Sequence, residues 1–306
     1  MSELMDNQLL LLDNLIYLNG VVNPDNEGKK VYDIVNDLLE HHTQDSPAPK
    51  IKKAIYDKGN DAAYMPYDEW VTILKSIQAD PELMNLTIKH GVDDYGKNKL
   101  GGMRVACFVD GGNNATVVFR GTGGPTEWHD NGAGGYESDT PQQERALEYI
   151  NKLAEKGYGN ITVTGHSKGG NKAQYVALLS DNVDRCVSFD GQGFSSEFFE
   201  KYKDLIKKNS YKVTRIADKW DFVNCLLFPG SKTIYINSQK IFRISKFMYN
   251  HCPNTMLDEN GNLRPQTDSS FLNKLISSYT QYMNENLEGE ERRKLGMICR
   301  IQPEAL

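Results

Sequence analysis

The sequence has 306 residues, of which 39% are apolar and 25% are charged, and its formal net charge at pH 7 is −6. This length accommodates one large α/β domain or two smaller domains, and the composition is typical of globular proteins. The negative balance argues against a dedicated nucleic-acid-binding protein, because no basic face dominates. We recognise no apolar run of membrane-spanning length and no signal-peptide pattern, so we expect no stable membrane insertion and a cytoplasmic location.

The cysteines do not indicate a metal site or a disulfide framework. There are five of them, an odd number, and no two are spaced as Cys-x-x-Cys. Several lie in apolar, strand-like runs, which is typical of small core residues. The five are Cys107, Cys186, Cys225, Cys252 and Cys299.

The first hundred residues carry a helical pattern without a regular alternation of strands and helices. Apolar residues recur at helical spacing close to the N-terminus, again in Val31 to His42, and once more from about Asp68 onwards. This pattern predicts an N-terminal helical lead-in or cap over residues 1–100, followed by a separate domain over residues 101–306.

Beyond residue 100 the pattern changes to strands that alternate with helices. Asp110-Gly111-Gly112-Asn113 predicts a hairpin turn between the first two of these strands, and Thr140 with Pro141 predicts a capped helix start. Such an alternation predicts an α/β fold with a mostly parallel sheet and helices on both faces. The predicted strands are Met103 to Val109, Ala115 to Arg120, Ile161 to Thr164, Arg185 to Phe189, Ser210 to Ala217, Ile234 to Ile236 and Ile241 to Ile244. The predicted helices are those from Thr140, Gly169 to Leu179, Ser195 to Lys207 and Phe271 to Met283.

The most informative segment is the turn Gly165-x-Ser167-x-Gly169 between a β-branched strand and a helix. This spacing is typical of a nucleophile elbow, the sharp turn that exposes a catalytic serine at the edge of a sheet. A serine in such a strained turn needs neighbours without a Cβ two residues away on either side. We therefore predict that Ser167 is a nucleophile.

A serine hydroxyl needs a base to take its proton, and a third group to orient that base. In α/β-hydrolases the order along the chain is serine, acid, histidine, and His251 is the one histidine that follows Ser167. Asp221 is the favoured acid because it lies further into the loop after its strand. Asp218, at the end of that strand, and Asp190, in a turn after another strand, remain alternatives.

Stabilising the negative charge that develops on a substrate carbonyl requires two hydrogen-bond donors. The backbone N–H of Lys168 is one candidate, since it follows the nucleophile at the start of a helix. The second candidate is Thr122, which follows an apolar strand and Gly121 and offers both an N–H and a hydroxyl.

Two segments, Val118–Thr122 and Gly165–Asn171, together resemble the lipase-like α/β-hydrolases of the fungal (class 3) type. They look closest to an uncharacterised, mainly bacterial branch in which lysine follows the nucleophile and a second glycine and an asparagine come after. The resemblance implies an α/β-hydrolase fold and ester hydrolysis. It also implies four roles: Ser167 as nucleophile, Thr122 as oxyanion donor, Asp221 as acid and His251 as base.

These observations together predict a serine hydrolase that cleaves small-molecule or lipid carboxylic esters, without a metal or organic cofactor. A thioesterase, amidase or acyltransferase would use the same residues, and a non-catalytic hydrolase fold that binds a ligand or protein is the alternative from another class. The glycine-rich segment 123–139 is a candidate lid. The sequence does not indicate an oligomeric state.

Overall fold

The computed structural model describes residues 3–40, 65–94, 102–122, 130–238, 248–287 and 290–291. These residues form an eight-stranded sheet whose strands lie in chain order. Strands β3 to β7 are parallel, whereas β1, β2 and β8 run antiparallel to their neighbours. The strands are β1 (Thr87–Asp93), β2 (Arg104–Val109), β3 (Ala115–Phe119), β4 (Ile161–His166), β5 (Arg185–Phe189), β6 (Val213–Asp218), β7 (Thr233–Ile236) and β8 (Gln266–Thr267).

Helices cover the sheet on both faces. The predicted capped start at Thr140 is present, because its side chain accepts a hydrogen bond from the backbone N–H of Gln143. Within the described residues the helices are α1 (Asp6–Leu15), α2 (Val31–Leu39), α3 (Tyr67–Gln78), α4 (Pro81–Met84), α5 (Pro141–Ala154), α6 (Lys168–Leu179), α7 (Ser196–Lys201), α8 (Lys203–Asn209) and α9 (Phe271–Asn286). None of the helices in these ranges is long and apolar enough to cross a bilayer.

Alternating side chains of the strands divide the core into two layers. Ala106 and Phe108 of β2 belong to the cluster formed with α1 to α4, whereas Cys107 between them belongs to the cluster formed with α5 to α8. This alternation follows from the two-residue period of a strand, and both faces are apolar because both are covered. The predicted α/β-hydrolase fold, with a mostly parallel sheet and helices on both faces, is confirmed.

Two details differ from the sequence prediction, and a third expectation is not tested. Thr87–Asp93 is a strand within a region expected to be helical; its only fully buried side chain is Ile88, so the periodicity was weak, and pairing with β2 determines its structure. The helix expected from Ser195 to Lys207 is split into α7 and α8 at Tyr202. The strand expected at Ile241 to Ile244 lies outside the described residues.

The N-terminal helices share a core with the sheet. Leu9, Leu12 and Ile16 of the α1 region are fully buried in the same cluster as the sheet residues. Asp13, also in α1, is 1% exposed and accepts a hydrogen bond of 3.0 Å from the Thr164 hydroxyl of β4. Helix α1 therefore packs against β4, the strand that leads to Ser167, while the division of the chain at residue 100 stays a prediction.

Asp13 gives a testable dependence of stability on pH. Burial raises its pKa well above 3.8, so the folded protein binds a proton that the unfolded chain releases above that pH. We expect wild-type stability to fall, relative to Asp13→Asn, by about 1.4 kcal/mol per pH unit between 3.8 and the raised pKa. Urea unfolding of both proteins across this pH range measures the difference. Parallel pH profiles would contradict the assignment of a buried, protonated carboxyl.

Candidate active site

Ser167 stands in a strained turn between β4 and α6. Its φ is 59° and its ψ is −127°, a conformation that non-glycine residues adopt only when the surroundings impose it. A Cβ on Gly165 would lie 2.3 Å from the carbonyl carbon of Gly169, and one on Gly169 would lie 2.0 Å from the carbonyl oxygen of Phe119. The close packing of strand, turn and helix therefore requires both glycines.

His251 lies against the serine. Its Nε2 atom is 2.8 Å from Ser167 Oγ, a hydrogen-bond distance between residues 84 positions apart in the chain. His251 ends the short 3₁₀ turn Met248–His251, and a second such turn, Pro253–Met256, follows. Cys252 and Met256 are buried in the core under the N-terminal helices, so apolar packing anchors the segment that carries the imidazole.

Asp221 faces the other side of this imidazole. Its Oδ1 atom is 3.0 Å from His251 Nδ1, although the angle between them is poor for a hydrogen bond. The second oxygen accepts hydrogen bonds from the backbone N–H of Asn224 at 3.2 Å and from its side-chain amide at 3.3 Å. Catalytic hydrogen bonds are often poorly aligned in structures without substrate, so this geometry is compatible with an orienting acid.

Asp218, the alternative acid, has different partners. Its carboxylate accepts hydrogen bonds from the backbone N–H of Trp220 at 3.1 Å and from the hydroxyl of Ser238. Burial raises its pKa to about 6, against the lowering effect of the Ser238 hydrogen bond. Its hydrogen bonds therefore point towards the end of β7, whereas Asp221 is the carboxylate beside His251.

Asp190, the third candidate, is buried between these groups at the end of β5. Its Oδ1 atom accepts hydrogen bonds from the backbone N–H of Asp218 at 2.7 Å and from the amide of Asn224 at 2.8 Å. Its Oδ2 atom is buried without a hydrogen-bond partner among the described residues. Burial raises the pKa of Asp190 well above 3.8, and the charges of Asp221 and Asp218 raise it further.

His166 packs against His251 on the side away from Ser167. Its hydrogen bond points away from the serine: Nδ1 is 2.9 Å from the hydroxyl of Tyr17, and its ring centre is 4.7 Å from that of His251. Burial lowers the pKa of His166 well below 6.5; the charge of His251 lowers it further, and the His251 backbone opposes this. Sequence reasoning missed Tyr17, because no local pattern indicates a contact across 149 positions.

Thr122 and Lys168, the two residues that carry the candidate oxyanion donors, contact neighbouring residues of one segment. The side-chain amide of Asn131 donates a 2.8 Å hydrogen bond to Thr122 Oγ1. The Asp130 carboxylate lies 2.7 Å from Lys168 Nζ in a buried ion pair, and also accepts a 2.8 Å hydrogen bond from the Thr140 hydroxyl. Asp130 and Asn131 were seen in the sequence only as part of a flexible loop, because the contacts that order them come from distant positions.

The other predicted features of this loop lie largely outside the described residues. Residues 123–129, with His129, belong to that part, so the candidate lid at 123–139 is described only from residue 130 onwards. Within the described part of the chain, three side chains have the spacing of metal ligands: His166, Asp190 and His251 each offer one atom, and these atoms lie within 4.8 Å of one another.

Comparison with solved structures returns several lipases at low identity. M37 lipase is 16% identical, with 72% of this chain and 69% of that chain covered and a TM-score of 0.39. Lip2 lipase from Yarrowia lipolytica is 15% identical, with 91% and 90% covered and a TM-score of 0.42. The Rhizomucor miehei lipase propeptide complex is 13% identical, with 85% and 81% covered and a TM-score of 0.42. No curated protein sequence matches this chain.

A comparison with models of protein families identifies the family of this chain more directly than the solved structures do. The model named Mbeg1-like matches residues 77–297, well over half of the 306 residues. The matched range runs from the end of α3 past α9, and it includes Ser167, Asp221 and His251. The predicted membership of the α/β-hydrolase superfamily, with a lipase-like resemblance, is confirmed. The chain belongs to the Mbeg1-like family.

Proposed function

We propose that this protein is a serine hydrolase that cleaves carboxylic esters through an acyl-enzyme on Ser167. The observation that carries the proposal is the 2.8 Å distance between His251 Nε2 and Ser167 Oγ at a strained strand-to-helix turn. Strain of this kind persists only where the surrounding structure imposes it, and it is concentrated at functional sites. A structural serine has no need of either the strain or a buried histidine.

In the proposed reaction His251 accepts the Ser167 proton through Nε2 while Oγ attacks the ester carbonyl. The imidazolium then donates this proton to the leaving alcohol, and a water molecule repeats the sequence to release the acid. Asp221, 3.0 Å from Nδ1, holds the ring and stabilises its charged form. Asn224 in turn orients Asp221 through its backbone N–H.

The proposed oxyanion donors are the backbone N–H of Lys168 and the hydroxyl of Thr122. Thr122 Oγ1 accepts a hydrogen bond from Asn131, and no described residue accepts the hydroxyl proton, which can therefore point at the substrate. Lys168 begins α6, where the backbone N–H groups at a helix start favour negative charge. Donors fixed before the reaction stabilise the transition state most; Asn131 holds the Thr122 hydroxyl, and the turn that begins α6 holds the Lys168 N–H.

The same residues fit two other kinds of function. One kind is an enzyme with a different leaving group, and the other is a protein that binds without catalysing a reaction. A thioesterase, amidase or acyltransferase shares the acylation step and is separated by its substrate. A non-catalytic binding protein is less consistent with a serine held in a strained turn beside a base. We also propose a catalytic domain over residues 101–306 that follows a helical lead-in over residues 1–100. A lid at 123–139 and a cytoplasmic location are part of the same proposal.

The nucleophile is tested with a fluorophosphonate probe and short-chain and long-chain p-nitrophenyl esters. We expect the probe to label wild-type protein at Ser167, as mapped by mass spectrometry, and we expect labelling and hydrolysis to be lost in Ser167→Ala and His251→Ala. His90→Ala is the matched control, because His90 lies in β1, three strands along the sheet from β4, where it is hydrogen-bonded to Tyr158, and should not affect either readout. A folded wild-type protein without an adduct would favour the binding reading.

The acid is identified by neutralising the buried carboxyls singly. We expect Asp221→Asn to lower kcat by about ten-thousandfold, as loss of the orienting acid does in serine hydrolases, because the imidazole then takes the wrong tautomer. Asp218→Asn removes a carboxylate bonded to Ser238 and should retain most of the wild-type kcat. An inactive Asp218→Asn together with an active Asp221→Asn would reverse the assignment.

The hydroxyl of Thr122 is tested by Thr122→Val, which keeps the shape and the backbone N–H. We expect kcat to fall by about a hundredfold to a thousandfold with little change in KM, because an oxyanion donor acts mainly in the transition state. Thr116→Val in β3 is the control, since Thr116 lies at the other end of the strand that leads to Thr122. An unchanged kcat would remove the hydroxyl from the oxyanion site.

A further inference from the structure

His251 also belongs to a buried group of three side chains. The other two members, His166 and Asp190, take no direct part in the proposed reaction. One atom each of His166, Asp190 and His251 lies within 4.8 Å of the other two. His166 is 2% exposed, Asp190 is 1% exposed, and His251 is 8% exposed. Two histidines and one carboxylate form a ligand set typical of zinc sites that keep a fourth position for water.

Two atoms in this group lack the partners that buried polar atoms require. Asp190 Oδ2 has no hydrogen-bond partner among the described residues, and the same holds for His166 Nε2 apart from a weak interaction of the His166 ring with the His251 backbone. Most buried polar atoms have a partner, and leaving one without a partner destabilises the folded protein. The pair therefore needs an occupant that interacts with both an imidazole nitrogen and a carboxylate oxygen.

The remaining atoms of both residues are already held. His166 Nδ1 is 2.9 Å from the Tyr17 hydroxyl, and Asp190 Oδ1 accepts hydrogen bonds from the Asp218 backbone and the Asn224 amide. In metal sites, hydrogen bonds to the non-ligating atom of each ligand commonly fix its orientation. Tyr17 and Asn224 would serve this purpose here.

We propose that His166, Asp190 and His251 form a Zn²⁺ site in which metal binding and serine chemistry exclude each other. A point at the centre of a triangle with 4.8 Å edges is about 2.8 Å from each corner, and Zn²⁺ bonds to nitrogen or oxygen are about 2.1 Å long. An inward shift of about 0.7 Å for each ligand atom, within reach of side-chain rotation, therefore closes the site.

The metal acts on catalysis through His251. Both ring nitrogens of this residue have neighbours, with Ser167 on one side and the poorly aligned Asp221 on the other. A nitrogen bound to Zn²⁺ has no lone pair left for a proton, and a ring turned towards the metal loses one of these two contacts. The loaded protein is therefore an inactive hydrolase, and a chelator restores it; this consequence alone rests on the proposed function.

Binding is measured without reference to activity, by titrating ZnCl₂ into Ser167→Ala protein in a calorimeter and Co²⁺ into the same protein in an absorption spectrometer. We expect one Zn²⁺ per chain and the visible bands of tetrahedral Co²⁺. Asp190→Asn and, separately, His166→Phe should weaken Zn²⁺ binding by roughly tenfold to a hundredfold or more. Asp218→Asn, in the neighbouring carboxyl that is bonded to Ser238, should bind Zn²⁺ as the parent does.

The outcomes separate this proposal from the hydrolase assignment. Loss of binding in both ligand variants with retention in Asp218→Asn supports the site, whether or not wild-type protein hydrolyses esters. Absence of Zn²⁺ binding up to about 1 mM, or equal binding in Asp190→Asn and wild-type protein, would overturn it. In an active wild-type enzyme, Zn²⁺ that binds with unchanged turnover would place the metal away from His251 and would also overturn it.

Discussion

The strained backbone of Ser167 is the constraint on which the rest of the site depends. Its positive φ is maintained because β4, the turn and α6 approach so closely that neither Gly165 nor Gly169 has room for a Cβ. The same approach places the Ser167 hydroxyl beside His251 and the Lys168 N–H at the start of a helix. The local steric requirement and the proposed chemistry therefore depend on one turn.

Several ionisable side chains are buried around that turn, and most of their polar atoms make hydrogen bonds. The side-chain amide of Asn224 donates hydrogen bonds to Asp190, Asp218 and Asp221, so one amide fixes the relative positions of three acidic residues. Each carboxyl has a different environment, and burial raises the pKa of Asp190 and of Asp218. Such differences in pKa allow similar side chains to act as an acid or as a base at the same pH.

Local patterns predicted those parts of the fold that local interactions determine. The capped start of α5, the hairpin between β2 and β3, and the strand, turn and helix around Ser167 are each encoded within a few residues, and all are present. Strand β1 was missed because it has few apolar residues and owes its structure to pairing with β2.

For the site, residue order and motifs indicated Ser167, His251 and Asp221, which the fold brings together, while their roles remain predictions. Contacts between distant segments were not predictable from the sequence. Tyr17 reaches His166 from the N-terminal helical region, and Asp130 reaches Lys168 from a segment with no periodic pattern. Asp218 and Asp221 are three residues apart; their order along the chain favours Asp221, and the structure adds that Asp221 is the one beside His251 while Asp218 is hydrogen-bonded to Ser238.

We propose that Ser167 attacks an acyl group whose oxygen is then held by Lys168 and Thr122. A crystal structure of the protein after reaction with a phosphonate ester tests it most directly, because the tetrahedral phosphorus mimics the intermediate. We expect phosphorus bonded to Ser167 Oγ, with one phosphoryl oxygen about 3 Å from the Lys168 N atom and from Thr122. Phosphorus on another residue, or an adduct whose oxygens face away from both donors, would contradict the claim.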